Sequence, residues 1–270
     1  MRDAPISTAM ATDIADARDI LSRADRVLVL TGAGISRSAG IQTFADLEQQ
    51  DPARLAWLRC SVGRFHADPC TVWCIMDERR QHSLRVQPTP AHLAIARWAV
   101  TRPKVTIATQ NVDGLHERAA QTVGDPEAVE RILRLHGTLH RGRCVRCGRG
   151  SELPKAIDTS TRDALPHCGA CRKLIRPAII WFGEQLSSHV LRSAQYAAAS
   201  SDVCLVIGTR LDVYPAANLP DMARQQGAWL IEVNPELALL EADFTTRIAL
   251  PSDVAVPALL DGLVQQRADP

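Results

Sequence analysis

Branched apolar side chains gather in short runs along this chain, each closed by glycine or by polar residues. Residues 26–30 read RVLVL, 105–109 VTIAT, 202–209 DVCLVIGT and 229–234 WLIEVN. The run at 26–30 is too evenly apolar for a half-exposed strand and predicts a buried strand of a parallel sheet, and the others read as further strands of it. Residues 131–137 (RILRLHG) and 246–250 read as two further short strands. Around them the period changes to that of helices. Residues 12–24 place Ile14, Ala17, Ile20 and Leu21 on one face, and 254–266 form a closing helix. From 46 to 100 the helical period is uneven and broken by Pro52, Pro69, Pro88 and Pro90. That stretch predicts a helical insertion lying over the sheet. No internal repeat or low-complexity segment is present.

Composition narrows the class. The 270 residues suit one α/β domain with an insertion, or two domains. A net charge of +1 gives no general reason to expect nucleic acid or an anionic membrane as partner. Aromatics make up 4%, little for a surface that stacks bases. No apolar run reaches the length of a membrane span. The first residues carry acids where a secretory signal needs an apolar centre, so the expected location is the cytoplasm, where thiols stay reduced.

The eight cysteines then read first as metal ligands or buried thiols. Cys144-x2-Cys147 and Cys168-x2-Cys171, twenty residues apart, form the strongest signal that stands without any comparison. Four thiolates complete a tetrahedral Zn²⁺ and leave no place for an activated water, so the expected metal is structural. The unit would carry a charge of about −2, with Arg143, Arg146, Arg149, Arg172 and Lys173 near in sequence to balance it. Cys60, Cys70, Cys74 and Cys204 lack such spacing and read as core or helix residues. His136 and His140 have the spacing of a helical metal pair, but Gly137 and the nearby cysteines favour a strand end.

The run at 26–30 ends in Thr31-Gly32-Ala33-Gly34, followed by Ile35-Ser36. Glycines after a buried strand let backbone N–H groups approach a phosphate, and a helix starting there would add its positive end. On the glycines alone, a simple strand-to-loop turn explains the pattern as well. The full wording, GAGIS then SAGI then Phe44, resembles the first NAD-binding motif of the sirtuins, the NAD-dependent protein deacylases. Four further stretches resemble sirtuin motifs in order: TQNVDGLH at 109–116, LHG at 135–137, the run at 175–184, and 208–217. The likeness extends over about 26–264.

This resemblance implies a Rossmann-like parallel sheet with a small zinc-binding module and a helical insertion. The NAD-binding domain would span 12–143 and 173–268, with the insertion at 46–100 and the zinc module at 144–172. It implies an enzyme that removes acyl groups from protein lysines, giving nicotinamide and O-acyl-ADP-ribose. His136 would be the base that deprotonates a ribose hydroxyl. Asn111 and Asp113 would hold nicotinamide and a water, with Gln110 orienting the ribose or His136. Gly32, Ala33, Gly34 and Ser36 would line the phosphates, with Gly208 and Thr209 opposite and Asn234 at the adenosine ribose. Ile180, Phe182, Gly183, Glu184 and Val213 would bind an acylated peptide as an added strand. Met76 and Arg79 align with the Tyr and Arg of sirtuins that prefer acidic acyl groups; with Met in place of Tyr, acetyl or aliphatic chains are expected to be processed at least as well as succinyl. Three residues depart from the motifs: Gln42 stands for Pro, Ala45 for Arg, and Arg210 for the usual Ser. The first two, with Arg210 offering a cation from the other side of the site in partial compensation, leave open a slow deacylase, an NAD hydrolase or ADP-ribosyltransferase, or an NAD-binding regulator with little turnover.

Overall fold

A computed structural model describes residues 8–236 and 244–265. The expected reach of the main domain to 268, and of the last helix to 266, lies outside them, as do the first seven residues. Six parallel strands form the principal sheet: β1 (Val27–Thr31), β2 (Val105–Thr109), β3 (Ile132–Arg134), β7 (Val203–Ile207), β8 (Trp229–Val233) and β9 (Thr246–Ile248). They lie in the order β3-β2-β1-β7-β8-β9. Every residue of β1 and β7 is buried, as their almost unbroken apolar runs require.

Helices cover both faces. On one, α1 (Thr8–Arg23), α6 (Pro90–Thr101) and α10 (Ser252–Gln265) bury Leu21, Trp98 and Leu259 against Val29 and Leu205. On the other, α8 (Ser188–Ala199) and α9 (Leu219–Gln225) pack Ala194, Ala198 and Ala223 on Leu28, Leu30 and Val206.

A second lobe holds the short helices α2 (Phe44–Gln50), α3 (Pro52–Leu58) and α4 (Val62–Ala67) and the longer α5 (Pro69–Arg85). Each starts at an Asp, Ser or Thr whose side chain accepts from the first turn: Thr43, Asp51, Ser61 and Asp68. Their apolar faces share one core with an antiparallel sheet of β4 (Gly137–Cys144), β5 (Gly150–Glu152) and β6 (Ile175–Ile179), ordered β5-β4-β6. Phe65, Trp73, Leu139, Ile175 and Trp181 lie in that core. The helical insertion and the cysteine-bearing sheet are therefore one folding unit. By contrast α6, within the stretch read as insertion, belongs to the principal core. Among the described residues no helix is long and apolar enough to cross a membrane.

Candidate active site

The sheet order turns back between β1 and β7, and a crevice opens at their carboxyl ends, the usual ligand position in an open α/β sheet. Two turns meet there. The Gly32 N–H donates to the Ile207 carbonyl at 3.0 Å and the Gly34 N–H to the Gly208 carbonyl at 2.8 Å. A Cβ on Gly32 would fall 2.7 Å from the Gly208 oxygen, one on Gly34 2.8 Å from Gly208 Cα, and one on Gly208 2.6 Å from the Ile35 nitrogen. The glycines thus answer first to the packing of turn on turn. They lead into a seven-residue 3-10 helix, Ala33–Ala39, rather than a long helix with a strong positive end.

Polar side chains from four strand ends converge on these turns. Asn111 Nδ2 donates to the Gly32 carbonyl at 3.1 Å and to Ser36 Oγ at 3.2 Å. Ser36 Oγ donates to Asp113 Oδ2 at 2.8 Å, and Asp113 Oδ1 accepts from the Leu115 N–H, where helix α7 (Leu115–Thr122) begins. Gln110 Nε2 donates to Thr209 Oγ1 at 2.9 Å, and Asn234 Nδ2 to the Thr209 carbonyl at 3.1 Å. The polar residues read as cofactor-binding thus fall into two hydrogen-bonded groups, Asn111–Ser36–Asp113 and Gln110–Thr209–Asn234, side by side at the two turns, although their members are far apart in sequence. Below them Thr31 Oγ1 lies 2.9 Å from both Thr109 Oγ1 and His116 Nε2. Sequence reasoning misses this buried tie of Thr31, Thr109 and His116. Its signal is the polar residue that closes each apolar run.

His136 follows β3 by two residues and precedes β4. Gly137, at φ +79°, makes the turn, and a Cβ there would run into the Ala178 carbonyl. His136 Nδ1 sits 3.0 Å from the Gln110 carbonyl oxygen. A carbonyl only accepts, so Nδ1 carries the proton and Nε2 keeps its lone pair. Nε2 is buried with no hydrogen-bond partner. Burial holds the ring's pKa below the ordinary histidine value, outweighing the contact with the Gln110 carbonyl.

The peptide segment starts beside this ring, since the Ile180 N–H donates to the His136 carbonyl at 2.9 Å. Phe182 is exposed and stacks on Phe44, Gly183 is exposed, and Val213 is half-buried. Glu184 turns inward: its carboxylate accepts from Arg176 at 2.5 Å and from the Trp181 N–H at 2.9 Å, with Arg143 at 3.6 Å. Met76 is 1% exposed and packs in the second core. Arg79, one helical turn on, is partly exposed; desolvation lowers its pKa while the charge of Asp113 opposes that shift. Of the departures, Ala45 lies in the first turn of α2, and Arg37 pairs with the adjacent Asp46 at 2.6 Å. Arg210 is half-exposed, 3.6 Å from Asp212.

At the far end of β4, the sulfurs of Cys144, Cys147, Cys168 and Cys171 lie within 4.8 Å of one another. Cys144–Cys171 is 3.4 Å, and Cys147–Cys168 and Cys147–Cys171 are each 3.7 Å. Zinc–sulfur bonds of about 2.3 Å set tetrahedral S···S edges at about 3.8 Å, so the four thiols fit the ion. Burial resists ionisation of Cys144, but the Cys147 and Arg146 N–H groups prevail and bring its thiol down to about 6.

Residues 32–215 match the family model described as Sir2 family. The chain is 40% identical over 262 residues to a protein of Ralstonia nicotianae named NAD-dependent protein deacylase, covering 95% of this chain and 99% of that one. It is 38% identical over 256 residues to a protein of the same name from Methylococcus capsulatus, covering 92% and 96%. Among solved structures, a Sir2 homologue–NAD complex superposes with a TM-score of 0.80 at 29% identity, covering 98% of this chain and 97% of that one. A Sir2 structure bound to acetylated peptide gives 0.78 at 27% identity, covering 93% and 99%.

Proposed function

The chain belongs to the Sir2 family, and from that premise we propose that it removes acyl groups from protein lysines with NAD as co-substrate. The observation that carries this reading is the His136 ring, held at the crevice by the Gln110 carbonyl with Nε2 unpartnered. NAD held in the crevice would supply an electrophilic ribose carbon, to which the acyl-lysine oxygen bonds as nicotinamide leaves. His136 Nε2, neutral near pH 7, accepts the proton from the ribose hydroxyl that takes over the acyl group. Asn111 and Asp113, ordered through Ser36, hold the nicotinamide end and a water. Ala33, Gly34 and Ser36 with Gly208 and Thr209 would hold the phosphates, and Asn234 the adenosine ribose.

An acylated peptide adds along 180–184. The N–H groups of Ile180, Trp181, Phe182 and Glu184 are engaged within the protein, so pairing falls to Gly183 and the remaining carbonyls. Glu184 acts by fixing this segment rather than by touching substrate. The four cysteines hold one structural zinc, and the four other free thiols suit the reducing cytoplasm.

The test is incubation with NAD and matched acyl-lysine peptides, with products identified by mass. O-acyl-ADP-ribose supports deacylation, plain ADP-ribose indicates NAD hydrolysis, and no product leaves an NAD-binding regulator. With Met76 packed in the core and Arg79 under the field of Asp113, acetyl and aliphatic acyl-lysines should be processed at least as well as succinyl-lysine. A clear succinyl preference in kcat/KM would reverse that assignment.

A further inference from the structure

Strand β4 carries a histidine, His140, that the proposed reaction does not use. His140 Nε2 lies 2.8 Å from the backbone carbonyl oxygen of Asp113. Since that oxygen only accepts, Nε2 bears the proton in the neutral ring. The ring lies against Gly114, where a Cβ would fall 2.8 Å from it, and Ser83 Oγ of α5 is 3.5 Å from Nε2. One residue back, the Leu139 N–H donates to the Val112 carbonyl at 3.0 Å. His136 makes the corresponding contact with the Gln110 carbonyl. Two histidines four residues apart therefore hold the two carbonyls that bound the turn carrying Asn111 and Asp113.

We propose that His140 is a positioning residue for the cofactor end of the site. Its N–H fixes the Asp113 backbone, from which the carboxylate reaches Ser36 and, through Ser36 Oγ, Asn111. The proposal rests on reading Asn111 and Asp113 as the pair that contacts NAD. A space-filling role alone would be met as well by a phenyl ring of similar size, and that difference makes the proposal testable.

The experiment compares His140→Phe and His140→Gln in the full-length, zinc-loaded protein. Gln restores an N–H donor near the Nε2 position. NAD affinity is measured by titration calorimetry, beside KM for NAD, KM for an acetyl-lysine peptide, and Tm. In His140→Phe the NAD affinity should weaken, and KM for NAD rise, by about tenfold, the size of one lost hydrogen bond. The peptide KM and zinc content should not move, and His140→Gln should recover most of the loss. Unchanged NAD binding in His140→Phe overturns the proposal, as does a Gln variant no better than Phe, or a fall in Tm without any change in NAD binding. Should His140→Phe fail to fold, His140→Met fills the space without a donor and is read against Gln in the same way. Calorimetry decides this question even if wild-type protein binds NAD and gives no deacylated product, a result that would count against the proposed function alone.

Discussion

At the scale of single residues, the tautomer of His136 determines what the site can do. His136→Ala should lower kcat by about a hundredfold to ten-thousandfold, the usual contribution of a general base, with NAD affinity by calorimetry nearly unchanged. Burial favours the neutral ring, so turnover should be level through neutral pH and fall in acid with a midpoint below about 6.5. Ala45 poses a different question, because Arg37 already pairs with its neighbour in the chain, Asp46. Ala45→Arg should raise kcat/KM for NAD by about tenfold if a missing charged contact limits the rate. No gain, with a loss in Arg37→Ala, would assign that role to Arg37. His136, Asn111, Asp113 and the four cysteines are legible in the sequence because each sits in a short motif whose order survives folding. Glu184 and Met76 read from sequence as facing substrate, and both turn inward. Which way they point depends on partners such as Arg176 and Trp73, which spacing along the chain does not reveal.

Among elements, strands are easier to read than helices. The strands at 105–109 and 229–234 are rich in branched apolar residues, and sequence and structure place them within a residue of each other. Helix α8 escapes a reading by pattern because its buried face is Ala194 and Ala198, too small to mark a hydrophobic period. Helix α6 falls by position within the insertion, although its dense apolar run, with Ala94, Ile95 and Trp98 fully buried, suits the principal core. At its start His92 completes a capping box with Thr89, and its ring meets His116 of α7 with centroids 4.6 Å apart. Desolvation lowers the pKa of both rings, that of His92 well below the usual value. The unfolded chain takes up protons below about 6.5 that these folded rings refuse, so stability is full above that pH and declines beneath it. The slope is up to about 1.4 kcal/mol per pH unit for each such group. Tm should therefore fall between pH 7 and 5. His92→Gln, which keeps a capping side chain, should flatten the decline; an unchanged slope would mean other groups dominate.

In the whole molecule, one strand ties the two kinds of site together. β4 starts next to His136 and ends in Cys144, and the carboxylate of Glu184 ties the peptide segment to Arg176 and Arg143 on paired positions of β6 and β4. Cys168→Ser, or chelation, should lower Tm and raise the peptide KM more than the NAD KM, because the metal supports the small lobe rather than the crevice. Elemental analysis should find one zinc per chain; active protein without zinc would refute the metal assignment. The shared core of insertion and zinc sheet is not legible in the sequence, since neither stretch names its partner. The meeting of Gly32, Gly34 and Gly208 has a further consequence, for how such a chain can vary through descent. The three come from two stretches far apart in the sequence and touch backbone to backbone. A side chain gained at any one runs into backbone atoms of the facing turn, which no change of side chain there removes. In heredity they should behave as a single character, kept together or lost together with the crevice they close.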